Sequence, residues 1–578
     1  MKQLRSIISF ANRISKNAIA QYFIFIGILM ITNIALLFTE AMSIPAKFAF
    51  ILLPLGGQLL LLALIRKPGL TFLLLLPKSI LDAFQLVLIQ LYGGSFIAVD
   101  MFLNVVTTSP SEAGELLANM APVIVFLLIV YVPAIVLSVR SLKKNIKLEN
   151  PFRATMIKKS VAILLIGTVF FTVAQYTRTG FRVKYDLYPL NVIYNMDFAI
   201  KKWKKINGTK ENIKDFTYNA SRDISHISED TTGTNNKREI YVLVIGETAR
   251  AANWSLYGYD RKTTPNLDTL SNLVVFRDAL TQSNTTHKSV PMLLTPSNAD
   301  NHSLIYKCKS IITLFKEVNF KTVYLTNHNY QQTFMENYFN EADISVSIKD
   351  PKKNSYDYEL VDTLDSILNK YTADNLFVVV HLYGSHFNYH QRYTGEFAQF
   401  KPDKAEAISP EFKSQLINSY DNSILSTDHI LNRIITSVNR SNAVSGVLYT
   451  SDHGEDLMDD KRKKFLHASP IPTFYQLHVP FVIWFSDEYK VNCARKYDAA
   501  VLNAEKPVST SLSVFHTLGD MASIRSEHVE EVFSVCSSNL QISPRKYLTD
   551  HDGSKNIHRL LFSKLDYEQF KKRGIALY

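Results

Sequence analysis

Cysteine is almost missing: Cys308, Cys493 and Cys536 are the three among 578 residues, and none stands in a CxxC spacing. That excludes a thiolate metal site and a disulfide framework, and leaves the redox compartment undetermined. A second absence is local. Tyr92 to Met120 carries no Lys or Arg, although the whole chain holds 63 basic against 52 acidic residues, a formal net charge of +11. Basic residues instead flank apolar runs, where membrane topology places them, so the excess charge does not point to nucleic acid. The mean hydropathy of +0.00 averages two unlike halves. Long apolar runs fill the chain up to about residue 180, and an ordinary mixture of residues follows.

Five runs are long enough to cross a bilayer, which takes about 20 residues. They are Ala20 to Thr39, Lys47 to Ile65, Leu70 to Leu91, Ala121 to Val139 and Ser160 to Thr177. The first lacks a small-residue cleavage site and reads as an anchor, not a removed signal peptide. Lys2, Arg5, Arg13 and Lys16 precede it, Arg66 and Lys67 fill the second connection, and Arg140 to Lys159 crowd the fourth. The first and third connections are nearly free of positive charge. Lys and Arg stay on the cytoplasmic side, so the amino terminus is expected in the cytoplasm and everything after the fifth crossing outside it. Lys78 and Asp82, four residues apart in the third run, are expected to pair within the bundle. Asn104, Thr108 and Glu112 recur every four residues, which aligns an amide, a hydroxyl and a carboxylate on one helical face. Such a face suits a cationic amine, and it serves equally as a solvated helix surface.

Residues 181–237 turn polar, with four lysines around Trp203, and read as an interfacial helix followed by a flexible linker. Beyond them, strand-like runs at Ile240 to Ile245, Thr322 to Leu325, Leu376 to Leu382, Val444 to Tyr449 and Phe481 to Phe485 alternate with helical patterns. That alternation predicts a mostly parallel sheet with helices on both faces. Candidate ligands follow three of these strands: Glu247 after the first, His386 after the third, Asp452 and His453 after the fourth. Ligands that leave carboxyl ends of strands in one sheet converge on one crevice. A carboxylate beside an imidazole suits a zinc-type ion, although Asp-His-Gly by itself is as readily a turn. Thr285 and Thr286 precede a helix-like run, where amide groups favour an anion and where a Ser/Thr pair is ordinarily an N-cap. A metal or base would be needed to make either hydroxyl a nucleophile.

Together these stretches resemble the bacterial phosphoethanolamine transferases of the alkaline phosphatase and sulfatase superfamily. The residues that carry the resemblance are ExxxxxIGETARxxNxxxYGYxRxTTPNL around Glu247, TTHKSVP around Thr286, GSHxxYxxRY from Gly384, YDNSILxTD from Tyr420, TSDHGE from Thr450 and LHxxP from Leu466. It implies a five-helix transmembrane domain (1–180), the interfacial helix and linker (181–237), and a sulfatase-like α/β catalytic domain (238–578) in the periplasm. It also implies that Glu247, Thr286, Asp452 and His453 hold a zinc ion. Thr286, five residues before Pro291, is then the nucleophile. His386 and His467 would bind the transferred group, move protons or hold a second zinc, and Asn104, Thr108 and Glu112 would bind the donor's headgroup. The implied protein is a monomer of the bacterial inner membrane that moves phosphoethanolamine from phosphatidylethanolamine to lipopolysaccharide, and so weakens the binding of cationic peptides.

The chain also departs from the members that modify lipid A. Gln282 and Met292 stand where those members bracket the nucleophile with a disulfide, and Asn327, Asn329, Gln331 and Gln332 occupy the stretch where they carry a lysine. The likeness is therefore to members that modify core heptose or Kdo. A phosphoglycerol or phosphoethanolamine transferase acting on periplasmic glucans or lipoteichoic acid is the alternative. The CxPxR or SxPxR setting of a true sulfatase is missing.

Overall fold

The computed structural model describes residues 14–578 apart from 41, 93, 95, 108–119, 178–180, 224–236, 331–333 and 351–353. It divides between Ala199 and Ile200 into two compact units, with a short stretch near residue 103 grouped with the second.

The first unit is helical: α1 (Ala18–Thr39), α2 (Ile44–Leu64), α3 (Pro68–Leu74), α4 (Leu76–Tyr92), α5 (Val99–Thr107), α6 (Ala121–Lys143) and α7 (Asn150–Gln175). Four of these are long and apolar enough to span a membrane, and α3 with α4, bent by 59°, makes a fifth if the pair is one span. Asn17 starts α1 by accepting hydrogen bonds from the amides of Ile19 and Ala20, both at 3.0 Å, which occupies two of the donors a helix end leaves open. Tyr22, Phe25, Leu29, Leu62 and Phe72 form the centre of the bundle. Lys78 lies 2.9 and 2.7 Å from the two carboxylate oxygens of Asp82, which also accepts the Tyr188 hydroxyl at 2.7 Å. Two charges that would be costly alone thus compensate each other. Helix α5 carries Asn104, whose side chain, together with Thr108 and Glu112, lies outside the described residues.

The second unit is built on a seven-stranded sheet of β1 (Glu239–Gly246), β2 (Leu273–Val275), β3 (Lys321–Thr326), β4 (Ile344–Ser347), β5 (Leu376–His381), β6 (Val444–Ser451) and β7 (Phe481–Phe485). Its order is β2-β7-β6-β1-β5-β3-β4, parallel from β6 through β4, with β7 antiparallel to both of its neighbours, β6 and the edge strand β2. All five strands expected from apolar runs are present. The two additional ones, β2 and β4, are short edge strands: β2 lies in a run of only four apolar residues, Leu273–Phe276, and β4 alternates apolar and polar residues. The interior of β1 is fully buried, since a parallel strand is covered on both faces. Tyr241, Leu243 and Ile245 enter a core shared with Val290 and Leu293 of α8 (Thr286–Leu294) and with Val514, Phe515 and Leu518 of α9 (Thr510–Met521). Each such aliphatic side chain contributes about 1.5–3 kcal/mol on burial.

Helix α9 also contains a pH-sensitive contact. Buried His516 accepts the Glu530 amide at its Nδ1 (3.1 Å), and burial pushes its pKa from 6.5 down to about 4. The unfolded chain therefore takes up this proton first, so the contact's stability is complete above pH 6.5 and is lost as pH falls toward 4. Between pH 7 and pH 5 the wild type should lose about 2 kcal/mol more than His516→Asn, whose amide oxygen can still accept the backbone N–H. Denaturant titration at the two pH values checks this. Equal losses would show that His516 is not held neutral.

Candidate metal centre

The site follows from strand order. Neighbouring parallel strands β6, β1, β5 and β3 bring their carboxyl ends to one edge, with Gly246 opposite Ser451, Ile245 opposite His381, and His381 opposite Thr326. Asp452 and His453 therefore leave β6 beside Glu247 at the end of β1, while His381 ends β5 on the other side of Glu247. Backbone hydrogen bonds join the strand exits: Asp452 donates to Gly246 and Ser385 to Glu247, both at 3.0 Å. Two glycines permit this closeness. A Cβ on Gly454 would lie 2.1 Å from the Tyr475 carbonyl oxygen, and Gly384, at φ +52°, would place one 2.9 Å from the backbone of Glu247.

The polar groups meet in an unusual way. His453 Nδ1 is 3.0 Å from the Gly454 carbonyl oxygen, which can only accept, so the proton sits on Nδ1 and Nε2 presents a lone pair. That lone pair faces Asp452 Oδ2 at 3.2 Å and Glu247 Oε1 at 3.7 Å, which are also acceptors. Asp452 Oδ1 is occupied by the amides of Thr248 (3.1 Å) and His453 (2.7 Å), whereas its buried Oδ2 has no hydrogen-bond partner. Thr286, the first residue of α8, reaches Glu247 Oε1 at 3.0 Å and His453 Nε2 at 3.2 Å. Its single hydroxyl proton cannot satisfy three converging acceptors, and a cation can. Glu247, Asp452 and His453 offer atoms within 4.8 Å of one another, and their nitrogen and oxygen donors fit zinc.

Burial grades outward across the site. Glu247, Asp452 and His453 are at most 1% exposed, while Thr286, His287, His386 and His467 are partly exposed. A reactant could thus reach Thr286 without reaching the three acceptors behind it. The ring of His467 lies 4.2 Å from that of His453 between centroids. Burial, and then the neighbouring His453, His386 and His287, push the pKa of His467 well below 6.5, and its buried Nδ1 has no hydrogen-bond partner. His386 bonds through Nδ1 to the Phe387 carbonyl oxygen at 2.6 Å and stacks on Tyr383.

The structure brings Glu247, Thr286, Asp452 and His453 together and places His467 against them. Sequence reasoning missed His328 and His381, which form a second group with Glu247 on the side away from Asp452. The signal was available, because His381 closes an apolar strand and His328 follows another. It also missed the loop that fixes Glu247. Thr248 adopts φ +54°, a conformation costly for a β-branched residue, and its carbonyl oxygen accepts the Tyr420 hydroxyl at 2.7 Å.

Residues 239–524 match the sequence profile of the family described as Sulfatase. The chain is 31% identical over 316 residues to the Kdo(2)-lipid A phosphoethanolamine 7''-transferase of Escherichia coli strain K12, covering 52% of this chain and 53% of that protein. It spans about half the length of the curated relatives it matches. Among solved structures, the integral membrane lipooligosaccharide phosphoethanolamine transferase A of Neisseria meningitidis superposes with a TM-score of 0.70 at 19% identity, over 89% of this chain and 97% of that one. The C-terminal periplasmic domain of EptC from Escherichia coli, crystallised in complex with Zn, superposes with a TM-score of 0.53 at 24% identity, over 60% of this chain and 98% of that one. These two likenesses establish the shared fold: apolar amino-terminal helices and a sulfatase-like α/β unit.

Proposed function

Since residues 239–524 form a sulfatase-family domain and the curated relatives are named phosphoethanolamine transferases, we propose that this chain is a zinc-dependent transferase moving phosphoethanolamine from phosphatidylethanolamine to lipopolysaccharide. The carrying observation is the set of three buried acceptors facing one another, two of which the Thr286 hydroxyl reaches. Glu247, Asp452, His453 and Thr286 would hold the ion, which supplies Lewis acidity to lower the hydroxyl's pKa.

The remaining chemistry belongs to the chain. Thr286 Oγ1 attacks phosphorus, the bond to the diacylglycerol oxygen breaks, and that oxygen takes a proton. A phosphoethanolamine ester on Thr286 results, and an acceptor hydroxyl then attacks the same phosphorus, gives up its proton and releases the threonine. His467, kept neutral with an unpartnered Nδ1, takes and returns protons, with His386 beside it. The carboxylate of Glu112, with Asn104 and Thr108, is assigned to the donor's ammonium by resemblance. Buried Gln282, which accepts the Ala299 amide at 2.9 Å, and buried Met292 fill by packing the positions that the lipid A-modifying members cross-link, which supports a core heptose or Kdo acceptor. The basic loops support an inner-membrane chain with a cytoplasmic amino terminus and a periplasmic catalytic unit.

The test uses full-length protein in detergent, with headgroup-labelled phosphatidylethanolamine or phosphatidylglycerol as donor. Label from the former should appear on the peptide containing Thr286. Label from phosphatidylglycerol alone would overturn the donor, and label from neither would overturn the transferase reading.

A further inference from the structure

Glu247 sits between two groups of ligating side chains, and the second has a geometry of its own. The sheet order β6-β1-β5-β3 sets Asp452 and His453 on one side of Glu247, and His381 and His328 on the other. The two carboxylate oxygens divide accordingly. Oε1 faces Thr286 and His453, at 3.0 and 3.7 Å, while Oε2 faces His381 Nε2 at 3.9 Å. His381 is fully buried, and its Nε2 has no hydrogen-bond partner. Its Nδ1 contacts the Tyr330 hydroxyl. A half-buried His328 lies against it, with ring centroids 4.3 Å apart and Nε2 2.9 Å from the Leu382 carbonyl oxygen. One carboxylate oxygen and one ring nitrogen from each histidine lie within 4.8 Å of one another. Ligands about 2 Å from a zinc ion stand roughly 3.3 Å apart, so a small contraction closes the set.

We propose that Glu247, His328 and His381 bind a second divalent cation of the zinc class, and that Glu247 bridges it to the ion held by Asp452 and His453. Oxygen and imidazole nitrogen donors select zinc or a similar first-row ion over calcium or magnesium. The partners of the two rings complete the pattern. A ligating histidine ordinarily gives its other nitrogen to a carbonyl or hydroxyl, and here the Leu382 carbonyl and the Tyr330 hydroxyl are those groups. Because His381 has no exposed surface, this ion does not meet substrate. It neutralises the second oxygen of Glu247 and fixes the carboxylate that the first ion and Thr286 share.

The test is zinc binding, which does not depend on whether the chain transfers phosphoethanolamine. Full-length protein in detergent is stripped with chelator, titrated with zinc against a chromophoric competitor, and its metal content measured. Wild type should bind one equivalent more than His328→Asn and one more than His381→Asn, and each variant should hold its remaining ion at least about tenfold more weakly. Asp452→Asn should lose the other equivalent. Because His328 is half-buried, its replacement is the milder change, and a folded His328→Asn with wild-type stoichiometry and affinity would overturn the proposal. Failure of the Thr286 labelling with two zinc ions bound would overturn only the transferase reading.

Discussion

Replacing Thr286 with alanine should lower phosphoethanolamine transfer by a factor of about 10⁴ to 10⁶, the scale of losing an activated nucleophile. A 10⁴-fold loss is about 5.5 kcal/mol of transition-state stabilisation. The change should leave metal content nearly intact, because Glu247, Asp452 and His453 still present their acceptors when the hydroxyl is gone. It should leave the fold intact as well: Thr286 is partly exposed at the first position of its helix, and the N-cap position belongs to Thr285. Thr286→Ser keeps the oxygen and should retain most of the activity. The measurement is turnover with labelled phosphatidylethanolamine, beside zinc content and a thermal melt of each variant. A Thr286→Ala protein that binds zinc and turns over at the wild-type rate would remove Thr286 from the chemistry.

Asp452→Asn separates the stability of the metal-free protein from its affinity for metal. In the wild type, Asp452 Oδ2, Glu247 Oε1 and the lone pair of His453 Nε2 face one another, so a metal-free protein holds repelling acceptors in a buried place. The asparagine can keep its oxygen toward the amides of Thr248 and His453 and turn its NH₂ toward the other two acceptors. Donors then replace the cation. The variant's affinity for zinc should fall at least about 100-fold, a loss beyond the 10- to 100-fold typical of outlying residues. Its metal-free form should be more stable than metal-free wild type by about 1–3 kcal/mol, the cost of an unsatisfied buried group. Melting with and without chelator reads both effects, since zinc at 100 times its Kd adds about 2.7 kcal/mol. Chelator should lower the wild-type Tm by more than that of Asp452→Asn, which keeps only the ion assigned to Glu247, His328 and His381. Equal sensitivity in the two proteins would mean that the ion is not held by Asp452.

Much of this architecture was legible from local pattern. A membrane helix must be apolar along its length, and a parallel strand must be apolar on both faces, so each appears as a run that needs no knowledge of the rest of the chain. The edge strands gave little signal: Leu273–Val275 is only three residues long, and Ile344–Ser347 alternates apolar with polar residues and is only half-buried. The break between Pro68–Leu74 and Leu76–Tyr92 was also invisible: hydropathy reads the pair as one span, and the 59° bend depends on how the helices pack. Glu247, Asp452 and His453 could be suspected because each follows a strand in a recurring motif. His328 stood among asparagines and glutamines, and His381 read as the end of a buried strand.

What the sequence determined by itself was the inventory: five apolar runs long enough to cross a membrane, five principal strands, and a few carboxylates, imidazoles and hydroxyls at the strand ends. Burial and period are local properties of the chain. What only the tertiary structure decided was adjacency. Residues from Glu247 to His453 become neighbours because β1 lies between β6 and β5, and that order puts His453 beside one oxygen of Glu247 and His381 beside the other. The pattern of apolar residues along a strand specifies that the strand is buried, and leaves open which strand lies next to it.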